Sequence, residues 1–152
     1  MKLLWMAVLF GLLSATGFAE DADKKAEPYR KALLALINEA RFAQGYPPLE
    51  IQSAAEMLAQ RWAESLAQQS TLEHRSRTML KEAMIKNKWL GISENLHASP
   101  DGNQPKACFD SWMGSDVHRG NLLRATTRAA GIGLALGKDG QYYVVFNGVT
   151  KR

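Results

Sequence analysis

The chain opens on an apolar run, Leu3 to Leu13, behind a single positive charge at Lys2. Small residues stand at Gly17 and Ala19, so residues 1–19 read as a secretory leader cut between Ala19 and Glu20. The run is too short to span a bilayer, which takes about 20 apolar residues. No cysteine follows it, so a lipid-modified N-terminus is not expected. Charged residues come next, and residues 20–28 read as a flexible charged segment. Residues 29–152 then suffice for one domain around one core.

From Pro28 onward the pattern turns helical. Leu33, Ile37 and Ala40 recur at helical spacing until Gly45 and the rigid turn Tyr46-Pro47-Pro48-Leu49. Ser53-Ala54-Ala55-Glu56 reads as a capping box, and Ala55, Leu58, Ala59, Trp62 and Leu66 form one apolar face up to about Gln69. A weaker helix is expected from Thr78 to Trp89, with Leu80 and Met84 inward. Ile92 to His97 alternates as a strand. Pro105 opens a helix through Met113 whose inner side carries Cys108, Phe109, Trp112 and Met113. Ser115 or Asp116 can cap a short helix to about Leu123, with His118 and Leu122 on its inner face. The end is β: Gly131–Leu136 and Tyr142–Phe146 flank Gly137-Lys138-Asp139-Gly140, and Asp-Gly between β-rich runs signals a hairpin. The expected class is α+β, with a small antiparallel sheet of about three strands.

Composition narrows the function classes. The net charge of +4 is spread along the chain, so neither nucleic acid nor an anionic membrane is demanded. The one cysteine, Cys108, excludes an internal disulfide, and its place in a helical pattern beside Trp112 marks it as a small core residue.

Candidate chemistry rests on three histidines, His74, His97 and His118, none of which forms a short-range metal motif. Glu94 is the informative neighbour. Strand alternation puts it on the apolar side with Ile92 and Leu96. A carboxylate there must be paired or hydrogen-bonded. Because His118 also sits on an apolar face, a Glu94–His118 contact is expected. Asn38 and Arg41 are expected to anchor the Pro-Pro turn, and Asn95 and Asn121 to brace backbone. Arg119 is placed at the fringe of a cleft. His97 finds no partner and is expected to be exposed.

These pieces resemble a known family. Leu36-Ile37-Asn38-Glu39-Ala40-Arg41 with Gly45-Tyr46-Pro47-Pro48-Leu49, then Leu72-Glu73-His74, Ser93-Glu94-Asn95-Leu96, Ser111-Trp112 through Leu123 and Gly131-Ile132-Gly133 look like the CAP superfamily in its bacterial form. This is the superfamily of cysteine-rich secretory proteins, antigen 5 and pathogenesis-related proteins, also called SCP-like extracellular proteins. The resemblance implies an α-β-α sandwich and a cleft centred on two histidines, here His74 and His118, with Glu94 as acidic partner. In some members such a cluster binds a divalent cation, often Zn²⁺. Three departures stand out: Ser93 where glycine is usual, Asp116-Val117 where Pro-Gly is common, and Ser115 in place of a second glutamate. Asp116 is a candidate substitute for that glutamate.

The resulting expectation is a secreted or periplasmic binding module. Its cleft (His74, Glu94, Ser115, Asp116, His118, Arg119) would take a small ligand, a peptide or a cell-envelope component, with a divalent metal on His74 and His118. The module would act as a monomer without stable membrane insertion. The alternative is a metal-dependent hydrolase on peptide or cell-wall material, with Glu94 as general base; an adhesive envelope protein would need no intact cleft. Binding is preferred because no activated nucleophile is evident: Ser115 and His118 are within helical reach, but no oxyanion site announces itself.

Overall fold

Alanine at every fourth position lets a helix lie close on a sheet, and Ala55, Ala59, Ala63 and Ala67 do this for the helix that carries them. The computed structural model describes residues 15–100 and 104–151. The elements run α1 (Ala15–Ala43), β1 (Glu50–Ile51), α2 (Ser53–Gln69), α3 (Arg77–Asn87), β2 (Gly91–Ser99), α4 (Pro105–Met113), α5 (Asp116–Leu122), β3 (Ala129–Leu136) and β4 (Tyr142–Thr150). The strands form one sheet in the order β1-β3-β4-β2. β2 and β3 both pair antiparallel to β4, whereas β1 lies parallel to β3.

Helices cover both faces, giving an α-β-α sandwich. On one face Tyr29, Leu33 and Ile37 of α1 meet Cys108 and Trp112 of α4, Leu122 of α5, and Ile132, Val144 and Phe146 of the sheet. On the other, the α2 alanines meet Leu96, Tyr143 and Val145, while Trp89 and Ala83 pack with Ala129 and Val149. Here β3 must be small. A Cβ on Gly131 would collide with the Ala55 carbonyl, and one on Gly133 with that of Ala59. Glycine at these two positions is therefore what allows α2 to rest on the sheet.

Several boundaries differ from expectation. α1 starts at Ala15 and carries Pro28 inside it, so the stretch 20–28 falls within the helix that Pro28 was expected to open. Its Ala-, Lys- and Glu-rich composition favours helix. The cost of an interior proline, about 3 kcal/mol, is offset by burying Ala26 and Tyr29 beside it. Residues 1–14 of the expected leader lie outside the described residues. The sheet has four strands and is mixed, because the two-residue β1 is too short to show a period. The capping box does not form: Gln52 is the N-cap of α2, without a side-chain bond, and Glu56 faces Arg30 at 3.7 Å instead. α3 stops at Asn87, where Lys88 turns left-handed at φ 56° ahead of Gly91. Cys108 is buried as expected, and burial pushes its thiol up to about 12. Among the described residues no helix is long and apolar enough to cross a membrane.

Candidate functional site

β2 is the last strand of the sheet, so one of its rims has no strand beside it. Three segments converge there. After α2 ends on Ser70 in a left-handed cap, the chain runs through residues 71–76 and delivers His74 and Arg75. The Trp62 indole N–H holds this segment by donating to the Glu73 carbonyl at 3.0 Å, and Ser76 caps α3 by accepting from the Met79 N–H. β2 itself supplies Glu94. α5 supplies His118 from the other helical layer.

Glu94 is the hub. Its Oε1 lies 2.9 Å from His74 Nδ1 and accepts from the Arg75 backbone N–H at 3.1 Å. Its Oε2 accepts from Arg75 Nη1 at 2.6 Å. The carboxylate is only 2% exposed, while the His74 side chain is 56% exposed. Glu94 thus fixes the inner edge of the His74 ring, and Nε2 faces outward. With the carboxylate accepting at Nδ1, the proton sits there and Nε2 presents a lone pair when the ring is neutral. Arg75 is buried in turn. It donates to the Leu58 carbonyl at 2.6 Å and to Asn147 Oδ1 at 3.2 Å, and its guanidinium stacks 5.2 Å from the Trp62 ring centre. Burial pulls the guanidinium below the ordinary arginine range, and the Glu94 carboxylate pulls the other way. Arginine stays charged in either case.

The inward carboxylate therefore meets His74, not His118. His118 reaches the site through its backbone, whose carbonyl accepts from Asn95 Nδ2 at 2.9 Å. Asn121 donates to the Glu94 carbonyl and to Asn95 Oδ1, so both asparagines brace backbone as expected. The His118 ring lies half-buried, close enough to feel the His74 charge. Burial first, and His74 second, depress its pKa. Asp116 does not replace a missing glutamate: its side chain is 91% exposed and pairs with Arg119 at 2.5 Å, one turn along α5. Arg119 also donates to the Met113 carbonyl, which pins it at the fringe. Ser115 occupies the N-cap position of α5 without a capping bond, and among the described residues no hydrogen bond joins it to His118.

Two residues of the site differ from expectation, one unforeseen and one expected on the surface. Arg75 is one. His97 is the other: it is half-buried rather than exposed, its Nε2 is enclosed without a hydrogen-bond partner in the protein, and burial and then His118 depress its pKa. Strand alternation puts it on the Asn95 face, a signal available once α5 is known to lie there. Behind Arg75 an open cavity of about 430 Å³ separates α2 from α3, lined by Met57, Trp62, Met79 and Lys86 among others; neither His74 nor His118 borders it.

A sequence profile of the cysteine-rich secretory protein family, CAP, matches residues 34–147. The chain belongs to this family. The CAP domain is 27% identical over 124 residues to YkwD of Bacillus subtilis strain 168, a protein called uncharacterised; the match takes in 78% of this chain and 47% of YkwD. It thus spans about half the length of that relative. Among solved structures it is similar to an outer surface protein of Borrelia burgdorferi (TM-score 0.70, 21% identity, 80% of this chain and 92% of that one). It also resembles an SCP-domain extracellular protein of Bacillus anthracis (TM-score 0.69, 21% identity, 93% and 45%).

Against a divalent ion of the kind that the resemblance implies, the donors divide. The His74 and His118 imidazoles suit zinc chemistry. Glu94 does not, because both its oxygens already serve His74 and Arg75. Among the described residues no three His, Cys, Asp or Glu side chains are grouped to hold one ion. Among the described residues the two imidazoles are the donors left for such an ion, and water would have to complete its shell.

Proposed function

We propose that this CAP domain is an exported binding module whose ligand docks on the open rim of β2, against His74, His118 and Arg119. One observation carries the reading: Glu94 is consumed inside the protein, orienting His74, and so is not free to activate a water. What it leaves on the surface is a fixed imidazole with an outward Nε2. Next to it stand a second imidazole, whose protonation burial disfavours, and a half-exposed guanidinium. That array recognises hydrogen-bond donors and carboxylates, the polar groups of peptides and of peptide-bearing cell-envelope material. Residues 1–19 would direct the domain out of the cytoplasm, and the Borrelia and B. anthracis proteins it resembles are named as outer-surface and extracellular.

An amide-resolved NMR titration with a soluble muropeptide, beside an uncharged sugar fragment, tests the site. Shifts should gather at His74, His118 and Arg119 and vanish in His118→Ala. Shifts confined to the α2–α3 cavity would move the site elsewhere. Release of cleaved muropeptide during the titration would replace binding with hydrolysis. Fractionation of cells expressing the full chain should find residues 20–152 outside the cytoplasm.

A further inference from the structure

The buried positive charge of this site belongs to the chain itself. A divalent ion recruited by Glu94 would have to share the carboxylate with Arg75 or push the guanidinium away. Sharing sets two cationic groups on one small anion in a place that is shielded from water, where like-charge repulsion is strong. Displacement is no easier, because the other partners of Arg75 are the Leu58 carbonyl, Asn147 Oδ1 and the Trp62 ring, none of which carries a formal charge. A displaced guanidinium would be left buried without its counter-ion, at a cost of about 3–5 kcal/mol. His74 is constrained from the same side: Nδ1 is taken by Glu94, and only Nε2 is open.

We infer that Arg75 is a built-in counter-cation that closes Glu94 to metal ions, so that the His74–Glu94 pair needs no metal ion to balance its carboxylate. The side chain takes the electrostatic place that a bound cation would fill, and it holds the carboxylate in the position that orients His74. Arg75 follows His74 directly in sequence, so one short segment delivers both the imidazole and the charge that makes a metal redundant. This inference stands apart from the identity of the ligand, since it concerns only which cation neutralises Glu94.

Calorimetric titration with Zn²⁺ tests it on the mature chain, with far-ultraviolet circular dichroism melts to confirm folding. Wild type and Glu94→Gln should bind zinc with affinities within about threefold of each other, because Glu94 is no ligand. Arg75→Gln, which frees the carboxylate, should bind at least tenfold more tightly, about 1.4 kcal/mol. Arg75→Lys should keep the wild-type value, and the double variant Arg75→Gln/Glu94→Gln should lose the gain. A purely structural Arg75 would lower the melting temperature in Arg75→Gln and leave zinc affinity alone; that result overturns the inference. So does a tenfold weakening of zinc binding in Glu94→Gln. Should Arg75→Gln fail to fold, the wild-type and Glu94→Gln comparison decides by itself.

Discussion

Two buried arginines hold opposite sides of the molecule in different ways. Arg41, at the end of α1, donates only to backbone carbonyls: Pro47, Leu122, Arg124 and Thr127, at 2.8 to 3.1 Å. It ties the Pro-Pro turn to the segment between α5 and β3, and Asn38 beside it bonds both the N–H and the carbonyl of Leu49. Arg75 instead faces a carboxylate. The first arginine is a fastener whose charge is incidental to its five N–H donors. The second is a charge that needs its counter-charge. An arginine satisfied by carbonyls marks architecture, and one satisfied by a lone buried carboxylate marks a place where the fold has to manage ionisation.

The sharpest way to break this comparison is to delete each side chain. Arg41→Ala leaves several shielded carbonyls without donors, at about 1–3 kcal/mol for each one water cannot reach. Urea denaturation should show a loss of about 4 kcal/mol or more, unrescued by any second substitution at one residue. Arg75→Ala strands Glu94 and should cost about 3 kcal/mol. There a second change, Glu94→Leu, should recover at least half, because it removes the orphaned charge. If the double variant is no more stable than Arg75→Ala, the two arginines are alike and the distinction fails. Gly131→Ala should come next, at about 1–3 kcal/mol. It pushes on α2, which carries the Leu58 carbonyl that Arg75 uses. Hydrogen exchange should therefore quicken around residues 73–76 and stay slow around Arg41. The smallest effect is acid sensitivity. His97 and His118 have depressed pKa values in the fold, so the unfolded chain takes up their protons first. Their contribution is intact above the ordinary histidine value near 6.5 and is lost as the pH falls below it. Melts from pH 7.5 to 5 should show this decline, and His97→Gln should flatten it.

Much of this was legible in the chain. The helical repeat of α2, the proline start of α4 and the Asp-Gly hairpin depend on short-range rules, and all three appear where the pattern put them. The inward aim of Glu94 followed from alternation alone. Its partner did not. A buried carboxylate calls for a cation, but 19 lysines and arginines offered themselves, and spacing along the chain does not say which one the loop after α2 will fold inward. β1 and the start of α1 were hidden for the opposite reason: a two-residue strand has no period, and a proline usually opens a helix. Asp116 fell out of the site because a shift by one residue on a helix turns a side chain by about 100°, here away from Glu94 and toward Arg119.

The rim of β2 bears on how the chain behaves among its own copies. A nine-residue edge strand, paired on one side only, offers its outer rim as a template on which another molecule can build. On this rim the Glu94 carbonyl is taken by Asn121, and the Leu96 carbonyl by the Trp112 indole at 2.9 Å. Side chains from α4 and α5 thus cap two of the acceptors that a stray strand would use. The middle of this edge, around Glu94 and Leu96, is therefore a poorer template for a second copy of the chain than a bare strand rim would be.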